Sequence, residues 1–196
     1  LATLLDNPAV GAIGLAGTSL LVEGNWCTLG VPYIKGWVVH DEKEGYFLTK
    51  YCEEAGNHEV VSLDGLFLAC RKEVADEIPF DEQTFGGFHL YDLDWSLRVA
   101  QKYKVLVTTE ILALHTGGNY DEKWMKYKNL FEQKYRAILP YPKAPDPKII
   151  RRRWKTYPFD MKTLSMQKTP RVLVGCPTSS HKKYCLGQYL VGVLNL

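Results

Sequence analysis

The chain has 196 residues, 46% of them hydrophobic and 23% charged, with a net charge of +2. That is ordinary globular composition, which excludes intrinsic disorder and gives no global basic field for nucleic acid. No apolar run approaches the roughly 20 residues of a membrane span, and no charged segment precedes an apolar core as in a signal peptide.

In chain order, "LATLLDNP" reads as the last turns of a helix stopped at Asn7-Pro8. The chain opens without Met and closes on "QYLVGVLNL", an apolar helical pattern without a stop signal, so both ends read as cut and the chain as a fragment. Residues 10–22 are apolar and glycine-rich, and predict one or two buried strands. "VEGNWCTLG" is turn chemistry. Residues 36–60 alternate poorly and predict loops with a short strand at 37–40.

"VVSLDGLFLACRKEVADEI" predicts a strand at 60–63, a turn at Asp64-Gly65, a second apolar strand at 66–70 and a short helix at 71–78 stopped by Pro79. "FDEQTFGGFHLYD" predicts a loop in which Gly86 and Gly87 are free to take positive φ. Asp92 or Asp94 then caps a helix running to about Lys102, with Leu93, Leu97 and Ala100 inward. "KVLVTT" and "ILALH" predict strands ending at His115, and "TGGNYD" a turn. Asp121 opens a helix to about Ile138, with Trp124, Tyr127, Phe131, Tyr135 and Ile138 on one face.

Residues 1–140 thus form one α/β domain, 141–169 a proline-rich and basic linker, and 170–196 the opening strand and helix of a second α/β domain. The five cysteines, 27, 52, 70, 176 and 185, are odd in number and contain no CxxC, which predicts reduced thiols and a cytoplasmic setting.

Three features carry chemistry. Asp92 and Asp94 flank a loop-to-helix junction, where a carboxylate can take a proton from a hydroxyl or simply cap the helix. His115, at a strand end beside a glycine turn, can face a metal or a phosphate, or be a hydrogen-bonded core histidine. Asp64-Gly65 is either a plain turn or the rim of a pocket at a sheet end.

"DGLFLACRKEV", "FDEQTFGGFHLYDLDWSLRV" and "ALHTGGNYDEKWMKYKNLFEQKY" together resemble the C-terminal half of family-2-type glycosyltransferases with the GT-A fold. "NPAVGAIGLAGTSLL" and "GNWCTLG" look like the middle of that family, and the likeness spans roughly residues 1–138. It implies a GT-A-like mixed sheet flanked by helices, truncated at the N-terminus. It implies an inverting transfer of sugar from a nucleotide-sugar donor to an acceptor hydroxyl, of hexosyltransferase type and dependent on Mg2+ or Mn2+.

By the same resemblance Asp92 is the general base, Asp94 orients Arg98 or caps the helix near the substrate, His115 stands near the metal and diphosphate, and Asp64 and Gly65 border the acceptor pocket. The family's own D-x-D metal motif ends an apolar strand, which Asp92-Leu93-Asp94 does not. Most of the donor site is therefore expected upstream, and the fragment alone is expected to be inactive. "PRVLVGCPTSSHKKYCLGQYLVGVLNL" looks like the start of a second GT-A domain, with Thr178 in the loop that touches the nucleotide. The alternative is a non-catalytic carbohydrate-binding or scaffold module, whose basic stretch "KIIRRRWK" docks an anionic surface such as a membrane.

Overall fold

The computed structural model describes residues 1–115, 122–143 and 153–162. Residues 170–196, with Thr178 and the expected second domain, lie outside the described residues, as do Asp121 and most of the basic stretch.

A short helix α1 (Ala2–Leu5) leads into β1 (Val10–Gly14), every residue of which is buried. After Leu15 the chain continues as β2 (Ala16–Thr18) in a different sheet. Next come β3 (Ile34–Glu42) and β4 (Gly45–Lys50), an antiparallel hairpin closed at Lys43-Glu44. The strands β5 (Asn57–Val60) and β6 (Ser62–Leu63) are divided at Val61, and β7 (Leu68–Cys70) follows. The remaining elements are α2 (Lys72–Glu77), α3 (Tyr91–Ala100), β8 (Lys104–Thr108), β9 (Leu114–His115), α4 (Glu122–Tyr135) and β10 (Lys155–Pro158).

One sheet has the order β5-β8-β1-β7, with β1 and β8 parallel and the outer pairs antiparallel. Residues 10–14, 68–70 and 104–108 thus share a mixed sheet, as their apolar runs predict. The second sheet runs β10-β4-β3-β2-β6, and β9 joins β3 in parallel. Because β1 passes into β2 through Leu15, and β5 into β6 through Val61, the same two chain segments serve both sheets and hold them together. The result is an α/β, GT-A-like arrangement of sheets flanked by helices.

Helix α3 is buried on two sides. Trp95 and Val99 pack with Ala12, Val60, Leu63, Val105 and Val107 from the strands. Leu93 and Leu97 pack instead with Phe131 and Tyr135 of α4, and Trp124, Tyr127 and Ile138 join them, as the apolar face of the last helix predicts. Burial of each such side chain contributes about 1.5–3 kcal/mol, so α3 is held rigidly between sheet and helix. Ser96 adds a polar tie: its hydroxyl donates to the Asp92 carbonyl (2.6 Å) and accepts from the Leu63 N–H (2.9 Å), locking the start of α3 to the end of β6.

Several local expectations need correction. Residues 36–60 are largely two long strands rather than loops. One side of this hairpin remains partly exposed, so its residues mix charged and apolar types and hide the alternation. The expected strand "ILALH" is reduced to Leu114–His115. Gly86 and Gly87 do not take positive φ; a Cβ on Gly87 would lie 2.5 Å from the Tyr127 hydroxyl oxygen, so close packing demands that glycine. Leu90 takes the left-handed backbone instead (φ 63°) and is the N-cap of α3, without a side-chain cap bond. Asp92 and Asp94 both lie inside the first turn and neither is the N-cap. Lys155–Pro158, within the stretch read as linker, pairs antiparallel with β4.

Candidate active site

The end of β6 and the start of α3 bring Asp64, Gly65 and Asp92 together. The backbone N–H of Asp64 donates to the Ala16 carbonyl (2.9 Å), and Asp64 Oδ1 accepts the N–H of Leu66 (2.8 Å), a turn in which aspartate bonds its own backbone two residues on. Asp64 Oδ2 accepts the indole N–H of Trp26 (2.8 Å). Between the two carboxylates lies Gly65, whose N–H donates to Asp92 Oδ2 (2.6 Å). A Cβ there would sit 2.7 Å from the Tyr91 hydroxyl and 2.9 Å from Asp92 Oδ2, so a side chain at this position would displace one or both of those groups.

Opposing influences set the acidity of Asp92. Burial comes first and the Asp64 charge second, both disfavouring its ionised form. Backbone N–H groups of Leu93, Gly65 and Asp92 itself oppose them, as does the N-terminal end of the helix dipole, a term of roughly 0.3–1 kcal/mol. Burial and Asp64 win, and the carboxyl is pushed up to about 7.

Asp94 differs in every respect. It is 0% exposed and wholly engaged. Oδ2 accepts from Arg98 Nε (2.9 Å) and Nη2 (2.7 Å), the i+4 pairing expected from the sequence, while Oδ1 accepts from Lys134 Nζ (2.5 Å) and the Tyr135 hydroxyl (2.6 Å). Its carboxylate fastens α4 to α3. Burial first, then the bond to Asp94, pushes the Tyr135 hydroxyl up, which keeps it a donor.

On the other side of Asp64 an aromatic series begins. The Trp26 ring meets Tyr51 edge-on (centroids 5.3 Å apart), and Tyr51 meets Trp154 in the same manner (5.4 Å). The Tyr51 hydroxyl lies 3.4 Å from His40 Nε2. His40 in turn stands beside His115 (centroids 5.5 Å), because β3 and β9 pair in parallel with these two residues in register. Burial first, then the neighbouring His115, lowers the His40 pKa and favours its neutral imidazole.

His115 thus forms a pair of imidazoles with His40. Among the described residues no group of three or more His, Cys, Asp or Glu side chains is disposed to hold an ion. Two imidazoles do not complete a site for Mg2+ or Mn2+, which take mainly oxygen ligands, so the described residues do not fit that cation by themselves. The described cysteines, Cys27, Cys52 and Cys70, are free. No helix among the described residues is long and apolar enough to cross a membrane.

Trp26, His40, Tyr51 and Trp154 were not singled out by sequence reasoning. Trp26 lies in a stretch that reads as turn chemistry, and the others have no local signal, since their relation to Asp64 arises only when the second sheet forms. A family model described as "Glycosyltransferase like family" matches residues 1–138. No match was found among curated proteins or among solved structures.

Proposed function

Since the chain belongs to that glycosyltransferase-like family, we propose that it serves an inverting transfer of a sugar from a nucleotide-sugar donor to an acceptor hydroxyl, with Asp92 as the base. The observation that carries this reading is the Asp92 carboxyl, held by the Gly65 N–H and pushed up to about 7 by burial and by the nearby Asp64 charge. A general base works best when its pKa lies near the operating pH, and such bases contribute about 10²–10⁴-fold to rate. Asp92, pushed up to about 7, meets that condition.

In the proposed step the acceptor oxygen attacks the anomeric carbon and its proton passes to an Asp92 carboxylate oxygen. The new C–O bond forms as the bond from that carbon to the diphosphate oxygen breaks, and the nucleoside diphosphate leaves with the electron pair. Attack opposite the leaving group inverts the anomeric centre. Asp64 has the supporting role: held by the Trp26 indole and the Leu66 N–H, it keeps the local potential negative and the Asp92 carboxyl basic. Gly65 holds the Asp92 carboxylate with one N–H and leaves space for it.

The test is Asp92→Asn in the full-length enzyme, with the donor and acceptor it uses. Transfer should fall by about 10²-fold or more while donor binding persists, because asparagine is nearly isosteric but cannot take the proton. Near-normal turnover in that variant would remove Asp92 from the role. Product anomeric configuration, read by NMR, tests inversion separately.

A further inference from the structure

The aromatic series ends on a residue outside the family-matched span. Trp154 immediately precedes β10, the strand that extends the second sheet beyond β4, and the matched span stops at residue 138. The β10–β4 ladder runs from Lys155 opposite Lys50 to Pro158 opposite Phe47, which seats Trp154 next to Tyr51. The ring is not spent on the core: Trp154 is 40% exposed, whereas Tyr51 is 7% exposed. A large aromatic surface thus stands open at the end of a contact chain, Trp154 to Tyr51 to Trp26, that finishes in a hydrogen bond to Asp64.

Resting on the glycosyltransferase reading above, we infer that Trp154 is an acceptor-binding, specificity-determining residue that stacks against the apolar face of a pyranose ring of a saccharide acceptor. The chemistry suits that occupant. A pyranose has one face of C–H groups, slightly positive, and aromatic faces carry a negative quadrupole. The hydroxyls at the ring edge need polar partners, and the Tyr51 hydroxyl, His40 and the Asp64 loop are connected to the same series. Trp154 makes its contact away from the bond being formed, so its contribution is to acceptor affinity and choice rather than to proton transfer.

The experiment uses the whole 196-residue chain with methyl β-D-glucopyranoside and methyl β-D-galactopyranoside as probes, read by saturation-transfer NMR and by tryptophan fluorescence. The wild type should transfer saturation to the ring C–H protons of at least one probe. Trp154→Ala should weaken that binding about tenfold, and Trp154→Phe should restore much of it. Tyr157→Ala, which removes an equally exposed aromatic (40%) from β10, the strand that Trp154 precedes, should leave binding unchanged. No saturation transfer to either probe, unchanged binding in Trp154→Ala, or an equal loss in Tyr157→Ala would each overturn the inference. Two readouts separate the two readings: an absent Trp154 effect on probe binding overturns this inference and leaves the base untouched, whereas near-normal turnover by Asp92→Asn in the catalytic assay overturns the base and leaves the Trp154 contact untouched.

Discussion

Replacing Asp94 by Asn should destabilise the protein without touching the proposed chemistry. The carboxylate is fully buried and accepts four hydrogen bonds, two from Arg98, one from Lys134 and one from Tyr135. An asparagine keeps one acceptor oxygen and turns an N–H2 toward donors on the other side. Removing one partner of a buried ion pair costs about 3–5 kcal/mol. Here the cations retain some access to water, with Arg98 24% and Lys134 30% exposed, and Lys134 keeps its second partner Asp81 at 2.8 Å. The low end, ~3 kcal/mol, is therefore appropriate. For a chain of this size each kcal/mol moves Tm by about 2–4 °C, so the expected fall is about 6–12 °C. Differential scanning calorimetry of wild type and Asp94→Asn reads it directly. Lys72→Met serves as the comparison: it breaks the Lys72–Asp76 pair, whose side chains are 79% and 63% exposed, and an exposed pair of this kind has little effect on Tm. An Asp94→Asn Tm close to that of Lys72→Met would refute the claim that this carboxylate ties α3 to α4.

Asp92→Asn should instead stabilise the fold in a pH-dependent way. Its folded pKa is raised above the ordinary 3.8 to about 7, so the folded state binds the extra proton between those values and wild-type stability falls as pH rises through that window. The Tm advantage of Asp92→Asn should be absent at the acid end, grow toward pH 7 and level off above it; a difference independent of pH would refute the assignment. Asp64→Asn removes a charge that raises the Asp92 pKa, so the acid limb of the full-length enzyme's kcat/KM profile should move to lower pH; an unmoved limb would show that Asp64 does not tune the base. Gly65→Ala should lower turnover in the transfer assay, because its methyl group would press on the Tyr91 hydroxyl and Asp92 Oδ2; unchanged turnover would show that the base does not need the close Gly65 approach. Tyr135→Phe should cost about 1.5–3 kcal/mol by leaving the buried Asp94 carboxylate one donor short, seen in urea unfolding.

What was legible in the sequence was what local patterning encodes. The apolar, glycine-rich run at 10–22 reads as one or two buried strands, and both β1 and β2 lie there. The i, i+4, i+7 spacing of Leu93, Leu97 and Ala100, and the i, i+4, i+8 spacing of Tyr127, Phe131 and Tyr135, identified the helices that pack on each other. The Asp94–Arg98 pair follows from helical spacing alone.

Tertiary structure decided the rest. Leu90 takes a left-handed backbone at the N-cap while its side chain belongs to the same buried cluster as Phe85, Tyr91 and Leu93, a combination no propensity scale contains, and both aspartates therefore lie inside the helix. The β3–β4 hairpin was hidden because a half-exposed pair of strands mixes charged with apolar residues. Its formation carries His40 to His115 and Tyr51 to Trp26, and β10 then adds Trp154. Nor could spacing distinguish Asp92 from Asp94. Both sit in one helical turn, and their different surroundings come from separate packing partners: the Gly65 loop for one, the basic and tyrosyl side chains of α3 and α4 for the other. Acidity depends on burial and on charges distant in sequence, so it became readable only when the chain was folded.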